Sequence, residues 1–289
     1  MYENILLPFD GSEGAGEVLH HAGELAHWYD ATIQVLYVAD TTRDSVTVVD
    51  GHTVDVLARQ GEDIVDEAAK TLDTLGVSYN TDVVQGNPAP AIADYAEQYG
   101  HDLIVMPTHG REGLSRYLIG SVSEKVVRLS SVPVLTVRMQ PDETLEFPYE
   151  NILIPTDGSP AATYAAEQTL SLAASLDATV HILSVVDDTA LGLDVRSTTS
   201  GNGGDEAATE AVETVVSEAE ARGVTDTVTH IQHGVPVEAI LDYIESNDIH
   251  AVGMGTTGRR GTARILLGSV AEKTVRSVSV PVMTVVKSE

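Results

Sequence analysis

Along the first half of the chain, short apolar runs alternate with longer segments in which apolar residues return every three or four positions. Residues 5–8 form a continuous apolar run, which is typical of a parallel strand covered on both faces. The next segment has helical spacing, with apolar residues at Val18, Leu19, Ala22, Leu25 and Ala26. The same reasoning predicts further strands at residues 33–38, 77–85, 103–106 and 132–137. It predicts a polar loop at residues 39–52 and helices at residues 53–75, 88–99 and 121–130.

The whole pattern is then repeated. Residues 2–12, YENILLPFDGS, return as YENILIPTDGS at residues 149–159. Residues 108–137 and 256–285 are identical at 19 of 30 aligned positions. A period of 147 residues (149 − 2) is that of a domain, because solenoid repeats are about 20–50 residues long.

Strands that alternate with helices predict a doubly wound α/β fold, with a five-stranded parallel sheet in each copy. We place the two domains at residues 1–140 and 149–289, with a linker at residues 141–148. The predicted strand order is 3-2-1-4-5. In that order, the repeated motifs after strands one and four flank the point where the order reverses, which is where such folds bind ligands.

The net charge is extreme, at −28 from 16 basic and 44 acidic residues. This charge argues against nucleic acid or an anionic membrane as a partner. It is typical of a protein kept soluble at very high salt, where the Debye length falls to about 3 Å at 1 M. We therefore predict a halophile's cytoplasm as the setting; an ordinary acidic protein is the alternative.

Other features exclude several classes of protein. The chain has no cysteine, so disulfides and thiolate metal sites are excluded. No apolar run reaches the roughly 18 residues of a membrane span. No basic residue precedes the apolar run at residues 5–8, so no signal peptide is predicted.

A glycine-rich motif follows strand four in the second copy, where it reads Gly255-x2-Gly258-x9-Gly268-Ser269. Glycines let the backbone approach a ligand closely, and unpaired amides at the start of the next helix favour a phosphate. The alternative is that Ser269 only caps its helix, in a capping box with Glu272.

The first copy carries a reduced version of this motif. It keeps Gly110-x9-Gly120-Ser121, with Glu124 completing the alternative capping box. Pro107 occupies the position of the first glycine, and a proline has no amide hydrogen and a fixed φ. We therefore predict weaker phosphate binding by the first copy.

The two motif segments are basic within an acidic protein. Residues 108–137 and 256–285 together hold nine basic and three acidic residues. A locally positive segment in a negative protein favours an anion site. The alternative is that these side chains pair with acids elsewhere on the surface.

Strand one ending in Pro-x-Asp, together with Gly-x2-Gly-x9-Gly-Ser after strand four, resembles the universal stress protein family over nearly the whole chain. The resemblance implies two tandem Rossmann-like domains of the adenine nucleotide alpha hydrolase-like type. In ATP-binding members of the family, the strand-one Asp lies near the nucleoside and the strand-two Val lies near the adenine. The Gly-rich loop and the Gly-Ser helix start hold the phosphates.

Carried over to the second copy, the implied binding residues are Pro155, Thr156, Asp157, Val185, Gly255, Gly258, Arg259, Gly268, Ser269 and Val270. In the first copy they are Asp10, Val38, Gly110, Arg111, Gly120 and Ser121. The first copy departs from the pattern at Pro107 and at Phe9, which replaces the small residue seen as Thr156.

The resemblance implies a cytoplasmic protein of stress physiology that binds ATP. Whether it binds ADP or AMP instead, and whether Mg²⁺ accompanies the nucleotide, is left open. We find no general base beside the motif in both copies, because Thr257 replaces His109. We therefore predict no dedicated catalytic machinery, with slow ATP hydrolysis left open. Two alternatives are a scaffold that binds partners without nucleotide and an enzyme of the related hydrolase-like group, for which we find no extra catalytic motif.

The last strand of each copy is apolar and lies at a sheet edge in the predicted order. An exposed apolar edge invites pairing with another strand, and members of the resembled family often dimerise through this strand. We predict that the two domains pair with each other through strand five, and a homodimer of the whole chain is left open.

Overall fold

The chain divides into two units, residues 1–143 and 144–289, and each is built around its own sheet. The computed structural model describes residues 2–41, 47–49, 52–54, 56–108, 120–138, 145–187, 203–256 and 267–287.

The first unit alternates strands and helices. Its elements are β1 (Asn4–Pro8), α1 (Glu13–Tyr29), β2 (Thr32–Asp40), β3 (Thr47–Val49), β4 (His52–Val54), α2 (Val56–Leu75), β5 (Ser78–Gly86), α3 (Pro88–Gln98), β6 (Leu103–Pro107), α4 (Ser121–Leu129) and β7 (Val134–Val137). The main sheet is parallel, in the order β5-β2-β1-β6-β7. Helices α1 and α2 pack side by side, and so do α3 and α4.

The second unit repeats this architecture. Its elements are β8 (Asn151–Pro155), α5 (Pro160–Leu176), β9 (Thr179–Val186), α6 (Gly203–Ala221), β10 (Thr227–His233), α7 (Pro236–Ser246), β11 (Ala251–Gly255), α8 (Ser269–Ser277) and β12 (Val282–Val285). Its strands are parallel, in the order β10-β9-β8-β11-β12. The predicted fold and the strand order 3-2-1-4-5 are therefore confirmed in both copies.

The prediction of a featureless polar loop at residues 39–52 was wrong. Strands β3 and β4 pair in an antiparallel hairpin there, and the following helix begins at Val56 rather than at residue 53. Threonine and valine predominate in both short strands, and these β-branched residues favour strands. The intervening residues, Asp50 and Gly51, form a dipeptide that is a strong hairpin signal.

The centre of each sheet is fully apolar. In β1 the side chains of Ile5, Leu6 and Leu7 are 0% exposed, and in β8 those of Ile152 and Leu153 are too. Covering on both faces is what a parallel sheet requires. The rigid centre of each sheet therefore positions the turns at its carboxyl edge, where the repeated motifs lie.

Candidate functional site

The turn from the first strand to the first helix is held by an aspartate in both units. Oδ1 of Asp10 accepts a hydrogen bond from the backbone N–H of Ser12 at 3.0 Å. Oδ1 of Asp157 accepts one from the backbone N–H of Ser159 at 2.9 Å. Such a bond to the backbone two residues on is a common use of aspartate in turns. Each carboxylate is thereby fixed at the carboxyl edge of its sheet.

Backbone conformation explains the glycine that follows each aspartate, and helix capping explains the serine. Gly11 and Gly158 have φ values of 72° and 71°, which side chains with a Cβ rarely adopt. The hydroxyl oxygen of Ser12 accepts from the amide of Ala15 at 3.3 Å, and that of Ser159 accepts from the amide of Ala162 at 3.2 Å. The serines are thus N-caps.

Thr156 and Phe9 occupy the same place with different side chains. Their amides donate equivalent hydrogen bonds, to Leu183 O at 2.8 Å and to Leu36 O at 2.9 Å. The Thr156 hydroxyl accepts a further bond from the amide of Gly158 at 3.2 Å. Phe9 instead lines a cavity of about 400 Å³ between α1 and α2. The departure in the first copy therefore changes the side-chain contacts and leaves the backbone path unchanged.

The loop after the fourth strand is closed at its base in the same way in both units. The carbonyl of Thr108 accepts from the amide of Gly120 at 2.7 Å, and the carbonyl of Thr256 accepts from the amide of Gly268 at 2.7 Å. These bonds bring the start of α4 to the end of β6 and the start of α8 to the end of β11. The predicted binding residues Gly110, Arg111, Gly258 and Arg259 fall within residues 109–119 and 257–266, outside the described residues.

The N-cap of the helix that follows this loop is a glycine, not a serine. Gly120 and Gly268 are the N-caps, neither helix start has a side-chain cap bond, and Ser121 and Ser269 are the first helical residues. Both serines are exposed. The first amides of a helix have no acceptor within the helix, so an uncapped start leaves donors for a ligand.

The capping-box alternative was therefore wrong in both copies. Glu124 pairs with Arg128 at 3.4 Å, and Glu272 pairs with Arg276 at 2.8 Å. In each helix the acid points one turn onward, toward an arginine four residues ahead, instead of back to the helix start. Arg128 and Arg276 thus pair with acids of their own motif segments, whereas the other alternative places the acids elsewhere on the surface.

Gly255 has a packing role that the sequence did not reveal. A Cβ at Gly255 would lie 2.8 Å from the carbonyl oxygen of Ala161, in the first turn of α5. In the first copy the equivalent pair is Pro107 and Gly14. The contact at Gly255 is with the backbone of α5, so it depends on the path of that helix. The sequence around Gly255 alone could not have shown it.

The remaining predicted residues lie at or near the same edge. Val38 and Val185 are half-buried near the carboxyl ends of β2 and β9, and Val270 is half-buried in the first turn of α8. Pro155 ends β8. The aspartates, the valines and the Gly-Ser helix starts thus gather at the carboxyl edge of each sheet, around the strands where the order reverses.

Two searches of the described residues complete the picture. Within them, no group of three or more His, Asp or Glu side chains is placed to hold a metal ion. None of the helices in that part of the chain is long and apolar enough to cross a membrane.

Comparison with known proteins gives one consistent family. The model of the universal stress protein family matches residues 1–138 and again residues 148–286. A universal stress protein of Methanocaldococcus jannaschii is 34% identical over 141 residues, which are 48% of this chain and 83% of that protein. One of Bacillus subtilis is 34% identical over 148 residues, covering 48% of this chain and 100% of that protein. The crystal structure of a universal stress protein from Archaeoglobus fulgidus superimposes with a TM-score of 0.74 at 26% identity, covering 99% of this chain and 98% of that chain.

Proposed function

Because the chain belongs to the universal stress protein family, we propose that it is a stress-response regulatory protein that binds an adenine nucleotide at the carboxyl edge of its sheets. The observation that carries this proposal is the start of α8. It is capped by a glycine without a side-chain bond, and the first helical residue, Ser269, is exposed. Backbone amides and a hydroxyl are thereby available to a phosphate group.

The conformation of Gly268 supports a role for the missing side chain. Its φ of −60° and ψ of 142° are accessible to any residue, so the backbone does not require a glycine there. The absence of a Cβ keeps the helix start open for close approach. Gly120 has the same conformation, with φ −59° and ψ 141°, so the first unit offers a similar opening.

The rest of the edge fits a nucleoside. The carboxylate of Asp157 is a hydrogen-bond acceptor fixed at the same carboxyl edge of the sheet, which suits a ribose hydroxyl. Val185 offers an apolar surface to a base. The family resemblance assigns these two roles and favours ATP, with ADP or AMP as shorter ligands. Mg²⁺ would come with the phosphates, which are its usual partners.

We further propose that the second unit binds more tightly than the first. Pro107 provides no amide at the position of Gly255, and a proline fixes its own φ. The hydrogen bond that closes the base of the loop is 2.7 Å long in both units, so we attribute the difference in affinity to the end of the fourth strand, where Pro107 stands in place of Gly255. Cytoplasmic location, pairing through strand five and further dimerisation stay predictions.

Calorimetric titration of the full chain with ATP tests the proposal. Gly268→Val should remove the tighter site, because the added side chain fills the helix start. The matched Gly120→Val variant should leave that site intact. Equal ATP affinity in wild type and both variants, or a loss only in Gly120→Val, would contradict it. Thermal melting of the variants serves as the control for folding.

The alternative is a scaffold that keeps the fold without nucleotide. Mass spectrometry of the protein purified without added ligand separates the two. Co-purified adenine nucleotide supports the first function. Its absence, together with no heat on titration with ATP, supports the second.

A further inference from the structure

Three large hydrophobic side chains are exposed at the edge of the first unit opposite to the nucleotide motifs. Trp28 is 48% exposed, Tyr99 is 59% exposed and Leu129 is 49% exposed. They stand at the C-terminal ends of α1, α3 and α4. Helices of a parallel α/β unit run back against the strands, so these ends meet the amino edge of the sheet. We call Trp28, Tyr99 and Leu129 the amino-edge patch.

The second unit shows that the fold does not need these side chains. At the equivalent positions it has Ser175, Asn247 and Ser277, at the ends of α5, α7 and α8. The same helices end in the same way with small polar residues there. Because the second unit has the same fold without these three side chains, the fold does not explain why the first unit exposes them. Another reason is needed.

Aromatic rings extend from the patch along the edge. The ring of Tyr29, next to Trp28, meets the ring of Tyr2 edge-on at 5.2 Å. On the other side, the ring of Tyr95 lies 4.3 Å from that of Tyr99 and 5.7 Å from that of His101.

These two aromatic groups are joined through the start of the sheet. Oδ2 of Asp102 accepts from the amides of Glu3 and Asn4, at 2.8 and 2.9 Å. Since Asp102 follows His101 and Glu3 follows Tyr2 in the chain, this contact connects both groups. The start of the sheet between these two aromatic groups is therefore ordered.

The acidic residues near the patch favour a basic binding partner. Exposed acids stand near it in the chain, at Glu3, Glu24, Asp30 and Glu97, and the whole protein carries −28. A second copy of the chain would bring a like charge to this surface. An arginine or lysine is favoured on both counts, because it pairs with the acids and its cation is attracted to aromatic faces.

We propose that the amino-edge patch docks a basic, partly apolar segment of a partner protein. Arginine side chains of that segment stack on Trp28 and Tyr99, and its apolar residues cover Leu129. This surface lies at the opposite edge of the sheet from Asp10 and Ser121, so docking leaves the nucleotide edge accessible. The inference does not depend on nucleotide binding.

The test uses a fluorescein-labelled peptide of alternating arginine and leucine, titrated against the full chain and followed by fluorescence anisotropy. The patch variant carries W28S, Y99N and L129S, which are the residues of the second unit. The matched control carries V228S and I231S, which remove two exposed apolar side chains of the second unit, 43% and 37% exposed. Circular dichroism confirms that both variants are folded.

We expect saturable binding by wild type and by the control, and binding at least about tenfold weaker by the patch variant, since three apolar and cation–π contacts are lost. A peptide with glutamate in place of arginine should not bind. Equal binding by wild type and the patch variant would mean general attraction to the acidic surface and would overturn the proposal, as would no saturable binding at all. A wild-type dimer that the patch variant loses, seen by ultracentrifugation, would assign the surface to a second copy and overturn it as well.

Discussion

Gly253 in β11 lies so close to Thr169 in α5 that a Cβ on the glycine would collide with the threonine side chain. Thr169 is 1% exposed, and its hydroxyl donates to the carbonyl of Ala165 at 2.7 Å. In the first unit the equivalent pair is Val105 and Ala22. The two units thus divide a similar side-chain volume between strand and helix in opposite ways.

This exchange predicts a strong coupling between the two positions. Gly253→Val alone should lower the free energy of unfolding of the second unit by about 1–3 kcal/mol or more, because the packed core cannot accept the added volume. Thr169→Ala alone should also destabilise, since it leaves a cavity. The double variant recreates the pair of the first unit and should regain most of the loss. Urea unfolding followed by circular dichroism measures the cycle, and additive effects of the two changes would contradict the prediction.

Two glycines of the second unit have different roles, one in packing and one at a helix start. Gly255→Ala should cost about 1–3 kcal/mol of stability, because its Cβ meets the backbone of α5 and the helix must shift. Adding Ala161→Gly should not restore stability, because it leaves the backbone atoms of α5 in place. Gly268→Ala should lower the melting temperature less than Gly255→Ala does, by the cost of a poorer N-cap, and should weaken ATP binding. If Gly255→Ala melts like wild type, the packing role assigned to this glycine is wrong.

Burial of His181 predicts a dependence of stability on pH. Its Nδ1 lies 3.0 Å from the Tyr243 hydroxyl, and the ring of His230 lies 5.5 Å from the Tyr243 ring. Desolvation lowers the pKa of His181 below its usual value and raises that of Tyr243. Below about pH 6.5, the unfolded chain takes up a proton at this histidine that the folded chain resists, so stability falls as the pH falls. Above that pH both states are neutral at His181, and its contribution is constant.

His181→Gln tests this dependence, because Gln34 stands at the same position in the first unit. Melting temperatures between pH 5 and pH 8 should fall less steeply with acid in the variant than in wild type. His101, whose pKa is also lowered by burial, remains in both proteins and sets the residual slope. Parallel curves for the two proteins would show that His181 does not contribute.

The net charge of −28 predicts stabilisation by salt. Repulsion among like charges opposes the folded state, and screening shortens its range from about 10 Å at 0.1 M to under 3 Å at 2 M. The melting temperature should therefore rise between these KCl concentrations. An uncharged osmolyte of equal osmolality is the control for general exclusion effects. A flat or falling curve in KCl would refute the prediction of a halophilic protein.

The sequence predicted the parts of the fold that depend on short segments. The apolar run at residues 5–8 depends on neighbours within a few positions, and its repeat at residues 152–155 also forms a strand. The predicted strand order placed the motifs after strands one and four beside the point where the order reverses, and the structure has that order.

The features that the sequence did not predict depend on contacts between distant residues. Ser121 fits a capping box by spacing, yet the N-cap is Gly120, whose amide donates to the carbonyl of Thr108. Gly255 has the spacing of a phosphate loop, but its need for close packing comes from α5, more than 90 positions earlier (255 − 161 = 94). The same difficulty applies to the amino-edge patch, since Trp28, Tyr99 and Leu129 show no common pattern until the fold brings them to one edge.

The pair of Gly253 and Thr169, with Val105 and Ala22 in the first unit, also bears on how such a gene can change. Recombination between the two halves of the gene would produce hybrid domains, each joining a first helix of one origin to a fourth strand of the other. One hybrid would place Val105 against Thr169, with too much volume, and its reciprocal would place Gly253 against Ala22, with too little. Both products should be less stable than either parent. Such a loss of stability would keep the two halves of the gene different at these positions.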